Sequence, residues 1–189
     1  MTSQQEPSSQ DTVANAEVVA NAEVGANAAA LSREAGEQLT AGRYEQAVAL
    51  YERALALDAQ RVDDWVNQGL ALWSLGRPEA ALACYDRALA LAPHHAIAWM
   101  NRGNILADGG QHEAAVADYD KALALDSSLC RAWFNKGDEL GYLRRFIEAK
   151  ACFENARDLG HEQGDTEVVV QARIMVQRCD DTLMNESYS

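Results

Sequence analysis

Proline is scarce in this chain, with three in 189 residues, and glycine is modest at twelve. Alanine, leucine and glutamate dominate instead, so little interrupts helix formation along most of the length. Cysteine is equally sparse. Cys84, Cys130, Cys152 and Cys179 lie too far apart for a CxxC pair, which argues against a disulfide framework and for reduced thiols in the cytoplasm. Basic residues number 16 against 29 acids, a formal net charge of −13. That balance argues against nucleic acid or an anionic membrane as the main partner. The longest apolar run, Ala80 to Tyr85, has six residues, far below the roughly 20 of a membrane helix. No basic stretch followed by an apolar one opens the sequence, so neither membrane insertion nor a secretory signal is expected.

Catalytic motifs are missing as well. There is no GxxxxGK phosphate loop and no GxGxxG. His112-Glu113 and His161-Glu162 lack the second histidine a zinc helix requires. His94 and His95 follow Pro93 in a turn, where solvated histidines are ordinary. Cys84 and Cys152 each precede an aromatic residue on a helical stripe and read as small packing residues, with no basic pair nearby to lower a thiol pKa. Acids and bases are dispersed rather than gathered into a general acid and base. The expectation is a chain without cofactor or metal, and not an enzyme.

What the sequence has is a repeat. Trp65, Trp99 and Trp133 recur every 34 residues, as do Asn67, Asn101 and Asn135, and Gly69, Gly103 and Gly137. Ala47, Ala81, Ala115 and Ala149 keep the same step, and so do Tyr51, Tyr85, Tyr119 and Phe153. Residues 62–95 laid over 96–129 share 15 of 34 positions without a gap. Within a unit, Trp65, Gly69 and Leu72 are spaced 4 and 3, one helical stripe. Gly76 ends that helix and Pro78 opens the next, where its missing N–H costs nothing. Ala81, Tyr85, Ala88 and Leu89 form the second stripe, and Pro93 follows its end. A helix pair this short cannot bury both faces alone, so units must stack on their neighbours.

The set Trp65-x-x-x-Gly69-x-x-Leu72, Gly76, Ala81, Tyr85, Ala88 and Pro93 resembles the tetratricopeptide repeat (TPR) family. The resemblance implies an all-α, right-handed superhelical solenoid of four TPR helix pairs, at 28–61, 62–95, 96–129 and 130–163. The first unit departs at Leu31 and Ala35, the fourth at Arg144, which stands where glycine is expected. Residues 1–27 have no Lys, Arg, Leu or aromatic residue and read as a disordered or weakly helical acidic tail. In 164–184, Val168, Ala172, Met175, Cys179 and Leu183 step by 4, 3, 4 and 4, an amphipathic capping helix, with 185–189 a loose end.

Function is then expected on the groove face of the first helices, which in TPR proteins receives peptides or partner helices. Counting Val62 as position 1, positions 2, 5, 6, 9, 12 and 13 fall together on the helical wheel. The resulting candidate site is Val66, Asn67, Leu70, Trp73, Met100, Asn101, Asn104, Arg131, Phe134, Asn135 and Tyr142. Trp73 and Phe134 are the expected anchors. The amides Asn67, Asn101 and Asn135 resemble the asparagine ladder of O-GlcNAc transferase TPR arms, and an amide can satisfy both groups of a peptide bond. The same series could instead bond neighbouring repeats; both readings stand at this point. The carboxylate clamp by which TPR co-chaperones hold Hsp70 and Hsp90 tails finds only Asn101 matching outright, with Arg131 a charge-conserving substitute. The reading is a cytoplasmic adaptor or scaffold for a protein or peptide, expected to be monomeric, with a dimer through the last helix as the alternative. A dedicated chaperone for an exported or membrane protein, or a non-catalytic targeting subunit of a separate enzyme, are the other readings.

Overall fold

The computed structural model describes residues 9–187, with side chains described from 21 to 185. All regular structure among these residues is helical: α1 (Ser9–Thr40), α2 (Tyr44–Leu57), α3 (Val62–Ser74), α4 (Pro78–Leu91), α5 (Ala96–Asp108), α6 (His112–Leu125), α7 (Cys130–Tyr142), α8 (Phe146–Gln163) and α9 (Thr166–Ser187). The chain divides into two compact units at Arg77 and Pro78.

In the first unit, α2 packs on α1 and α3 on α2. Ala28 and Ala35 on α1 meet a core of Ala47, Val48, Tyr51, Ala54 and Leu55. Within the expected tail of residues 1–27, helix runs from Ser9 onward, and residues 1–8 lie outside the described part. Residues 21–27 are exposed throughout, so this stretch rests on local propensity rather than on burial.

The second unit pairs α5 with α6 and α7 with α8, with α4 on α5 and α9 on α8. Its large fully buried side chains are Tyr85, Tyr119, Phe153 and Leu140. The repeated glycines make room for the rings. A Cβ at Gly103 would stand 2.9 Å from the Tyr119 ring, and one at Gly137 2.7 Å from Phe153. The tryptophans have a second part beside packing, and Trp133 lies against the core of α7, α8 and α9. Trp65, Trp99 and Trp133 are half-buried, and each indole N–H donates to the carbonyl six residues earlier: Ala59, Pro93 and Ser127, at 3.0, 2.9 and 3.0 Å. They pin the turns between repeats.

The turns inside repeats share one geometry. Arg77 N–H donates to Leu72 O, Gln111 N–H to Leu106 O, and Arg145 N–H to Leu140 O, the six-to-one bond that closes a helix. This bond requires a left-handed residue just before the donor, supplied by Gly76 at φ 70° and Gly110 at φ 71°. In the last repeat Arg144 adopts φ 59° in the same place. A left-handed non-glycine costs about 1 kcal/mol, partly offset where the Arg144 guanidinium lies 5.5 Å over the Phe146 ring.

The last helix packs on α8. Met175 and Cys179 join one core with Ala149, Phe153 and Ala156, while Leu183 is half-buried outside it. Val168, Ala172 and Met175 reproduce the spacing of Trp133, Gly137 and Leu140, each 35 residues on. The spacing changes because α8 runs 18 residues instead of 14, while the link to the next helix shortens from four residues to two, with Gly164 left-handed at φ 75°. Asp165 then caps α9, its carboxylate accepting from Val168 N–H at 3.2 Å.

Candidate protein-binding groove

The first helices of the second unit present positions 5, 9, 12 and 13 to a groove of about 990 Å³. Ala107 and Asp108 enter from α5; Phe134, Asp138, Gly141 and Tyr142 from α7; Ile174, Met175 and Arg178 from α9. Phe134 is fixed from behind, its ring edge-on to buried Phe153 at 5.4 Å and 60°. Tyr142 is held differently. Its ring stacks on His112 at 4.8 Å, nearly parallel at 11°, and remains 72% exposed. His112 is oriented in turn by buried Glu139, whose Oε2 lies 2.5 Å from Nδ1. Ile174 on α9 is 55% exposed. Aromatic and aliphatic side chains are therefore presented on a firm base, an arrangement suited to taking up apolar groups of another chain.

One carboxylate sits among them. Burial and the neighbouring Glu139 push the Asp138 carboxyl up to about 6, and Arg178 on α9 opposes the shift. Asp118, outside the groove, is also raised by burial, against the pull of Arg102 and Lys121.

Of the eleven residues expected at the site, Phe134 and Tyr142 line this groove. Val66, Asn67, Leu70 and Trp73 lie on α3 in the first unit. Val66 is buried at 5% exposure, so it serves the core and offers no anchor. The amides turn inward. Asn104 Oδ1 accepts from Tyr119 Oη at 2.8 Å and from Asn135 Nδ2 at 2.9 Å. Asn101 is buried at 8% exposure. Asn67 and Asn101 stand within electrostatic reach of the buried Tyr51 and Tyr85 hydroxyls without closing a well-formed hydrogen bond. The Asn series thus faces the tyrosines of the preceding repeats. The reason is steric: position 6 sits over the tyrosine of the preceding second helix, which is fully buried. Met100 is half-buried against Leu106, Ala115 and Tyr119. Arg131 points away, pairing with Asp165 at 3.2 Å.

The α9 residues and the His112–Tyr142 stack escaped the sequence reading. The 35-residue echo of Trp133, Gly137 and Leu140 in Val168, Ala172 and Met175 was the available signal for the former. Among the described residues no group of His, Cys, Asp and Glu is arranged to hold a metal ion, and no helix is long and apolar enough to cross a membrane.

Tetratricopeptide repeat models match residues 32–82, 66–129 and 131–158. The chain belongs to the tetratricopeptide repeat family. TPR proteins generally mediate protein–protein interactions, and TPR domains are generally non-catalytic modules. Solved structures similar to this TPR chain include MamA, at 16% identity over 82% of this chain and 97% of that one, TM-score 0.61. The first TPR of Spaghetti (RPAP3), bound to the HSP90 peptide SRMEEVD, is 21% identical over 64% of this chain and 95% of its own, TM-score 0.62. The Arabidopsis OM64 TPR domain matches at 17% identity over 63% and 98%, TM-score 0.62. At these identities the likeness shows the TPR fold alone. No curated protein matches the chain.

Proposed function

We propose that the chain is a cytoplasmic, non-catalytic adaptor that holds a peptide or helical segment of a partner protein in the groove lined by α5, α7 and α9. The observation carrying this reading is Tyr142, a large ring kept 72% exposed while braced by the His112–Glu139 pair. A core has no use for a ring so placed; a partner does. Ile174 adds a second exposed apolar contact across the same groove. The RPAP3 structure holds its HSP90 peptide as a TPR module, which supports the mode of binding. It does not extend to the ligand, because the present chain lacks the basic clamp an acidic tail needs. Four free, buried cysteines support the cytoplasmic setting.

The test is selection from a phage-displayed library of random short peptides on the full chain. A selected peptide is then titrated against wild type, Tyr142→Ala, Ile174→Ala and the exposed control Glu113→Ala. The reading expects at least roughly tenfold weaker binding for the first two variants, as for interface hot spots, and no change for Glu113→Ala. Equal affinity across all of them, or no peptide selected, contradicts it.

A further inference from the structure

The charges in this groove define what it takes. Three carboxylates line it, Asp108, Asp138 and Glu139, against one guanidinium, Arg178, and the imidazole of His112. Glu139 is committed to His112. Asp138 accepts no hydrogen bond among the described residues, and the opposite charge acting on it is Arg178. Five of the six basic residues of 130–163 are paired with other carboxylates, Arg145 with Glu148 and Arg157 with Asp158 among them, while Arg144 lies over Phe146 at the groove's edge. Arg131 pairs with Asp165, Lys136 with Asp120 and Lys150 with Asp180.

We infer that the groove's occupant is a segment of another protein in which a lysine or arginine lies beside aromatic or aliphatic residues. Asp138 receives the cation, and Phe134, Tyr142 and Ile174 receive the apolar neighbours. This rests on the groove reading above and adds the chemistry of the ligand. The outer face of the Tyr142 ring, opposite His112, is available to a guanidinium at the same time. The chain cannot supply the occupant from its own amino-terminal segment. Residues 1–27 hold no Lys or Arg and four acids. A second copy, at net charge −13, would be repelled rather than drawn in. The elevated carboxyl of Asp138 fits the same picture. Its charge is held at a cost to folding, and an arriving cation offsets that cost.

Peptides selected on the full chain provide the experiment. The expected sequences carry Lys or Arg flanked by Phe, Tyr, Trp, Leu or Ile. The best of them is then measured beside a version with its basic residue replaced by glutamine, each against wild type and Asp138→Asn. Asp138→Asn should weaken the basic peptide roughly tenfold, the size of one charge-assisted hydrogen bond, and leave the glutamine version unchanged. The substitution removes a half-buried charge at constant shape, so the fold persists. Selection of acidic or purely apolar peptides overturns the inference, as does an equal effect of Asp138→Asn on both versions. If such apolar peptides still lose affinity on Tyr142→Ala, the groove stands and only its cation preference falls. If no peptide is selected, both fall together.

Discussion

Two glycines on α7 separate packing from propensity at the scale of single residues. A Cβ at Gly137 would meet three carbons of the Phe153 ring within 2.9 Å, whereas one at Gly141 meets nothing within 4 Å. Gly137→Ala should therefore lower stability by about 1–3 kcal/mol through overpacking. Gly141→Ala should raise it by about 0.5–1 kcal/mol, because alanine is the better helix former. Denaturant midpoints of the two variants check this; equal midpoints would refute the packing account of the repeated glycine. Asp138 makes a pH-dependent claim. Its folded pKa of about 6 lies above the ordinary 3.8, so between those values the folded chain holds more protons than the unfolded one. Its contribution to stability thus falls as pH rises from about 4 to about 6, then stays low. Groups acting on it are Glu139 on its own helix, Tyr119 on α6, and Arg178 and Cys179 on α9, with Asp108 on α5 and His112 on α6 lining the same groove. Asp138→Asn should stabilise the chain at pH 7 by about 1 kcal/mol, after discounting for partial solvent exposure, and should have no effect near pH 4. Melting temperatures across that range would show the two curves converging at low pH; parallel curves would contradict the claim. The legible residues were those fixed by periodicity, such as Gly137 and Phe153. The direction of the asparagines was not legible, because a helical wheel gives a face and not the depth of the neighbour opposite. Position 6 shares its face with the groove, yet the tyrosine of the previous repeat draws it inward.

Helix boundaries were readable because each has a chemical cause: Pro78 at the start of α4, Gly76 and Gly110 at the left-handed turns. Arg144 shows the limit of that logic. The turn forms there without glycine, since the six-to-one bond from Arg145 to Leu140 and the packing of α7 on α8 impose it. The last helix was legible as an amphipathic element but not as a wall of the groove. Removing this element gives the prediction at the element scale. A chain ending at Gly164 exposes Ala149, Phe153 and Ala156, which α9 covers with Val168, Ala172, Met175 and Cys179. Stability should drop by several kcal/mol, taking about 25 cal/mol per Å² as an upper estimate. Light scattering should also show association of the exposed faces. An equally stable, monomeric shortened chain would contradict the packing described for α9.

For the molecule as a whole, repetition identifies the family, and no motif specifies a ligand. Repeats share the residues that pack them together, and ligand choice rests on the residues that vary between them, such as Asp138, Tyr142 and Ile174. Charge summed over the chain argued against anionic partners, and the carboxylates of the groove give that bias a location. Long-range attraction from −13 net charges is screened over about 8 Å at physiological salt, so specificity has to come from contact. The most direct measurement is amide chemical-shift mapping of the full chain titrated with a selected basic and apolar peptide. The account predicts saturable shifts concentrated at Asp108, Phe134, Asp138, Tyr142, Ile174 and Arg178, with Ala117 on α6 and Asn155 on α8 unmoved. Shifts concentrated on α6 and α8 beyond their first turns, or spread evenly over the chain, would contradict it.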